Sequence, residues 1–152
     1  MADIFNPDFQ DFLRALRRWQ VEYILVGGYS VILHGYFRTT GDLDIWVNRT
    51  AENYRKLTRA FFEFGMPVFD MTEVNFLENP AFDVFTFGRP PVSIDIITSL
   101  KGLSFSESYD RANDTQVEGL TVRLIDFEDL LAAKRAAGRP RDLNDLENLE
   151  SN

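Results

Sequence analysis

The chain has 152 residues, 45% of them hydrophobic, with no cysteine and a formal net charge of −8. That length and apolar content suit a single domain whose core needs no staples. The missing thiols exclude disulfides, thiolate zinc sites and a cysteine nucleophile. The acidic balance repels polyanions, which argues against long nucleic acid as an obligate ligand.

Met1-Ala2-Asp3-Ile4-Phe5 lacks the basic-then-apolar pattern of a signal peptide, and no apolar run is long enough to span a membrane. The expected location is cytoplasmic, with no membrane partner. Phe occurs 14 times, which predicts a core rich in Phe, or a few exposed Phe side chains serving a partner surface. Arg14, Arg17 and Arg18 form one basic cluster, and Lys134, Arg135, Arg139 and Arg141 form another. Each reads as a solvated helix face or as a local patch for RNA.

In chain order, Asn6-Pro7-Asp8 opens a helix, with Asn6 as cap and Pro7 at the first helical position. Phe9, Phe12, Leu13 and Leu16 carry its apolar face to about Trp19. Tyr23-Ile24-Leu25-Val26 reads as a buried strand closed by Gly27-Gly28. A short helix follows from Tyr29 to His34 and stops at Gly35. Asp42 to Val47 is a second strand. Its alternation sets Leu43, Ile45 and Val47 on one face and Asp42, Asp44 and Trp46 on the other.

Thr50 caps a helix from Ala51 to about Phe64, broken by Gly65 and Pro67. The stretch from Val68 to Asn79 is compatible with a strand or a short helix. Phe82 to Phe87 reads as a strand, Gly88-Arg89-Pro90-Pro91 as a turn, and Val92 to Ile97 as a strand antiparallel to the previous one. Ser104 to Arg111 suits a short helix, and Val117 to Val122 a hairpin. Asp126 caps a helix to about Ala137, and a last helix runs from Arg141 to about Leu149, so a helical segment closes the chain. The fold class is α/β with a mixed, twisted sheet and flanking helices.

Three features carry chemistry. Val26-Gly27-Gly28-Tyr29-Ser30 is a strand that ends in two glycines and opens a helix, a turn that lets backbone N–H groups approach a phosphate or simply satisfies conformation. Asp42-Leu43-Asp44 projects two carboxylates from one strand face, close enough to share a divalent cation; a solvated strand is the other possibility. Asp95 is isolated inside Ser93-Ile94-Asp95-Ile96-Ile97, where a charge needs a partner: an arginine, a metal, or a hydroxyl to deprotonate.

Together these residues resemble the DNA polymerase β-like nucleotidyltransferase superfamily, and within it the small prokaryotic branch of abortive-infection toxin–antitoxin nucleotidyltransferases. The resemblance rests on Val26-Gly27-Gly28-Tyr29-Ser30, His34-Gly35 and Arg38-Thr39-Thr40-Gly41-Asp42-Leu43-Asp44. It covers residues 24–47 and 92–98, with a further likeness from Lys134 through Arg139 to Asp142 and Asp145. It implies the nucleotidyltransferase fold and transfer of a nucleoside monophosphate from an NTP such as ATP. The acceptor is a protein side chain, an RNA end or a small molecule.

By that resemblance Gly27, Gly28 and Ser30 hold the triphosphate. Asp42, Asp44 and Asp95 are catalytic and ligate two Mg²⁺ or Mn²⁺ ions, with Asp95 helping to deprotonate the acceptor. Arg38 reaches a phosphate or pairs with Asp42. Lys134 and Arg139 approach the nucleotide or acceptor, or remain surface helix charges. His34 caps or packs, and Trp46 packs in the core or stacks a base. Only about thirty residues follow the last strand, so the acceptor site is open or is completed by a protein partner. The alternative to an enzyme is a catalytically inactive domain of this fold that binds nucleotide or protein.

Overall fold

The computed structural model describes residues 3–89 and 92–151. Helix α1 (Pro7–Arg18) starts where Asn6 Oδ1 accepts the Phe9 N–H at 2.8 Å, a cap worth about 1 kcal/mol. Its apolar stripe of Phe9, Phe12, Leu13 and Leu16 is buried. Phe12 meets Phe61 and Phe64 edge-on at 5.5 and 5.3 Å between centroids, which locks α1 against α3 (Ala51–Phe64). Thr50 caps α3 as its sequence predicts.

Six strands form one mixed sheet in the order β3-β4-β2-β1-β6-β5. They are β1 (Tyr23–Val26), β2 (Asp42–Val47), β3 (Val84–Arg89), β4 (Val92–Ile97), β5 (Asn113–Val117) and β6 (Leu120–Leu124). β1 pairs antiparallel with β2 and parallel with β6; β2 pairs parallel with β4. The hairpins β3–β4 and β5–β6 form the two edges. Central β1 is buried throughout, which explains its unbroken apolar run. The fold class read from the sequence is the one observed.

The remaining helices are α2 (Gly27–Leu33), α4 (Glu73–Leu77), α5 (Phe105–Arg111), α6 (Phe127–Ala137) and α7 (Pro140–Glu150). Three expectations change. Helix α2 begins at the glycines themselves rather than at Tyr29. The open stretch from Val68 to Asn79 holds the short helix α4, because Thr72 Oγ1 accepts the Asn75 N–H and Phe76 buries its ring against Tyr54. Gly88 and Arg89 continue β3, pairing with Ser93 and Val92, rather than forming a turn. Pro90 and Pro91, the rest of that expected turn, lie outside the described residues.

The Phe-rich composition goes mostly inward: Phe5, Phe12, Phe61, Phe76 and Phe85 are all within 2% of full burial. Trp46, on the aspartate face of β2, is covered edge-on by Phe105 of α5 at 5.3 Å. Among the described residues no helix is long and apolar enough to cross a membrane.

Candidate active site

Strand register assembles the site. β1 ends at Val26, opposite Asp44. The parallel pairing of β2 and β4 sets Asp44 beside Asp95 and Asp42 beside Ser93. Neighbours in such a ladder lie about 4.8 Å apart and point to the same side. The three carboxylates expected to act together therefore line one cleft of about 330 Å³, with Gly27, Gly28 and Arg38 among its other walls.

The two glycines are the steric imprint of what faces them. Gly27 has φ +71°, and a Cβ there would stand 2.7 Å from Asp44 Cγ. A Cβ on Gly28 would stand 2.8 Å from the Thr40 Cβ. Real Cβ atoms do not tolerate such approaches, so Gly27-Gly28 and Thr40-Gly41-Asp42-Leu43-Asp44 are fitted to each other. The turn thereby brings backbone against the carboxylates.

The carboxylates are electrostatically crowded. Asp42 Oδ1 accepts the Ser93 hydroxyl at 2.8 Å. Asp95 Oδ1 is buried with no hydrogen-bond partner. Asp44 is pushed up from its ordinary 3.8 to about 7, first by burial, then by the charge and hydrogen bond of Asp95 and the charge of Asp42. Lys134 offsets part of this. Asp42 thus has one oxygen satisfied, while Asp44 and Asp95 stand side by side on β2 and β4. Among the described residues no group of three or more histidine, cysteine, aspartate or glutamate side chains stands in an arrangement that could hold a metal ion as it is.

The opposite wall is cationic and is held by α7. Lys134, 8% exposed, places its Nζ 2.9 Å from Asp145 and 3.4 Å from Asp142. Arg38 forks onto Asp145 through Nε at 2.7 Å and Nη2 at 2.9 Å. Arg139 Nε donates to Asp142 at 2.6 Å. Burial alone would raise both aspartates, but hydrogen bonds and charge from these cations hold them below the usual carboxylate range. Asp142 also accepts the Arg139 backbone N–H and so caps α7. One cluster therefore aims cations into the cleft and starts the last helix.

Several sequence expectations are resolved here. Arg38 pairs with Asp145, not Asp42, because α7 brings that carboxylate to it across 107 residues. Lys134 is a buried cleft residue rather than a surface helix charge. Ser30, expected to offer its hydroxyl to phosphate, is fully buried and donates it to the Gly27 carbonyl at 2.6 Å. Its role is to brace the glycine turn. His34 packs, with Nε2 2.7 Å from the Ile125 carbonyl oxygen. Trp46 is core. In the first basic cluster, Arg14 and Arg18 form exposed ion pairs with Asp11 and Glu63. The sequence reading missed Ser93 and Thr40 as site residues. Ser93 stands two residues before Asp95 on the same strand face, which was the available signal.

Comparison with known proteins is consistent with this architecture. No curated protein matches the chain. Among solved structures, the lincosamide antibiotic adenylyltransferase LnuA, lincomycin-bound, superposes with a TM-score of 0.57 at 16% identity, covering 99% of both chains. A Thermotoga maritima protein classed as a nucleotidyltransferase superposes with a TM-score of 0.57 at 14% identity, covering 94% of this chain and 90% of its own. At such identities the likeness concerns the fold. The family model described as nucleotidyltransferase of unknown function (DUF6036) matches residues 9–150, nearly the whole length, and the chain belongs to that family.

Proposed function

We propose that this chain transfers a nucleoside monophosphate from an NTP to an acceptor hydroxyl, using a divalent cation held by Asp42, Asp44 and Asp95. The observation that carries the proposal is the in-register pair Asp44–Asp95 lining one cleft with the Gly27-Gly28 turn. The donor chemistry suits Mg²⁺ or Mn²⁺, two ions in the expected scheme, once the three side chains turn toward a common point in the cleft. All three donors are carboxylates, one oxygen of Asp95 has no partner, and burial and its neighbours push Asp44 up to about 7, a charge penalty that a cation would relieve. A bound divalent cation supplies charge neutralisation for the phosphates and for the leaving group.

The chain's own residues divide the remaining work. The acceptor oxygen forms a bond to the α-phosphorus while the bond from that phosphorus to the α–β bridging oxygen breaks. The electron pair departs with pyrophosphate, and the hydroxyl proton passes to the Asp95 carboxylate. The Gly27-Gly28 backbone, Lys134, Arg38 and Arg139 orient the triphosphate and offset its charge, and positioning supplies much of the acceleration. The likeness of the Arg38-to-Asp44 stretch to abortive-infection enzymes supports a toxin–antitoxin setting.

The test is a label-transfer assay. The protein is incubated with each α-³²P-labelled NTP, Mg²⁺ or Mn²⁺, and separate protein, RNA and small-molecule fractions of a lysate. Label is expected in one fraction with release of pyrophosphate, and is expected to vanish with Asp44→Asn and Asp95→Asn. Metal-dependent nucleotide binding without label in any fraction would instead favour a non-catalytic binding module.

A further inference from the structure

The polar cleft opens into a second, apolar lobe of about 120 Å³ beneath α6. The two share Gly27, Asp44, Ile97, Leu100, Lys134, Arg139 and Asp142 as walls, so they are continuous. Beyond that rim the lobe is lined by Val26, Ile125, Leu130, Ala133 and Ala137. Small residues on α6 create the space: two alanines stand where larger side chains would fill it. Its lining has no hydroxyl, amide or imidazole side chain, and its charged groups are confined to the shared rim.

We propose that this lobe seats the acceptor, and that the acceptor is a small molecule bearing a hydroxyl on an apolar body about one ring in size. The inference rests on the transferase reading above. Three arguments support it. An apolar cavity of about 150 Å³ admits one benzene molecule, so this lobe matches a single compact ring or branched chain. A nucleobase edge would lose its hydrogen-bonding partners here, at a cost of about 1–3 kcal/mol per unsatisfied group, whereas a hydrocarbon would not. Asp44 forms part of the wall, with Asp95 beside it on β4. A hydroxyl carried at the inner end of the seated group therefore meets the carboxylates that serve the transfer. In that step the acceptor oxygen gains the bond to the α-phosphorus, pyrophosphate leaves with the bonding pair, and the proton goes to Asp95. Ala137 is exposed, so the lobe opens to solvent at the end of α6 and the acceptor need not pass through the nucleotide cleft.

The test uses benzyl alcohol as probe, followed by methyl NMR of Ile97, Leu130 and Ala133 in the full chain. Saturable shifts confined to these methyls are expected, together with at least about tenfold weaker binding in Ala133→Leu. Ala137→Leu, at the exposed rim, serves as the second variant should Ala133→Leu fail to fold, and should weaken the probe likewise. Shifts that drift linearly without saturating would overturn the proposal, as would full-strength binding in Ala137→Leu. ATP with Mg²⁺ displacing the probe would also overturn it, since the lobe would then hold the base. In the transfer assay, label confined to protein or RNA would overturn it too. The transferase reading is tested separately by metal-dependent thermal stabilisation with ATP. Its absence while benzyl alcohol still saturates the lobe would sink that reading and not the ligand site.

Discussion

Asp44→Asn should make the metal-free protein more stable, by an amount that grows as pH rises from about 4 to about 7 and is constant above it. Asp44 lies above its unfolded value because burial and two neighbouring carboxylates oppose its charge. Its stabilising contribution is complete below the unfolded value of 3.8 and is lost as pH rises through about 7. That difference corresponds to about 4 kcal/mol at 1.36 kcal/mol per pH unit. Partial solvation of the cleft and the hydrogen bond shared with Asp95 reduce the expected gain to about 2–4 kcal/mol. At this chain length the midpoint should rise by roughly 5–15 °C. The assay is thermal or urea unfolding in EDTA at about pH 5 and about pH 8. The wild type should lose stability across that interval while Asp44→Asn stays flatter. Mg²⁺ should restore the wild type and leave the variant unchanged. Equal midpoints for both proteins at both pH values would refute the claim that the carboxylates are crowded together.

Other outcomes follow from the same geometry. Gly28→Ala should destabilise the protein by about 1–3 kcal/mol in urea unfolding, because its Cβ collides with the Thr40 side chain, Cβ included; Thr40→Gly should relieve that collision and Thr40→Ala only part of it. Asp145→Ala should cost about 3–5 kcal/mol, since it strips Arg38 of its ion pair and Lys134 of the shorter of its two, in a site where Asp145 itself is fully buried. Asp142 and Asp145 sit below their ordinary values, so their contribution is present above the unfolded value and lost as pH falls. Acid unfolding below about pH 4 should therefore be blunted in Asp145→Asn, whatever its stability at neutral pH. Asn53→Ala should cost about 2–4 kcal/mol by equilibrium denaturation, because this buried amide accepts from the Glu22 N–H and donates to the Glu22 and Asn48 carbonyls.

The sequence by itself determined the local elements and the chemistry of their residues. Caps at Asn6, Thr50 and Asp126, the alternation of β2 and the helical spacing of α1 are encoded within a few residues, so their boundaries could be read directly. The Gly-Gly turn and the three aspartates could be found because their types and spacing are unusual in apolar surroundings. What the tertiary structure decided were the partners that arrive from far away in the chain. Arg38 meets Asp145 only because α7 folds back over the cleft. Lys134 is buried only because two carboxylates of α7 surround it. Ser30 turns inward because its helix starts two residues earlier than expected, at Gly27. The fit of Gly28 to Thr40, the hydrogen bond from Ser93 to Asp42 and the apolar lobe under α6 all depend on strand register and helix placement. Local propensity is a short-range property, whereas register and docking are set by burying the whole core at once, so no window of sequence contains them.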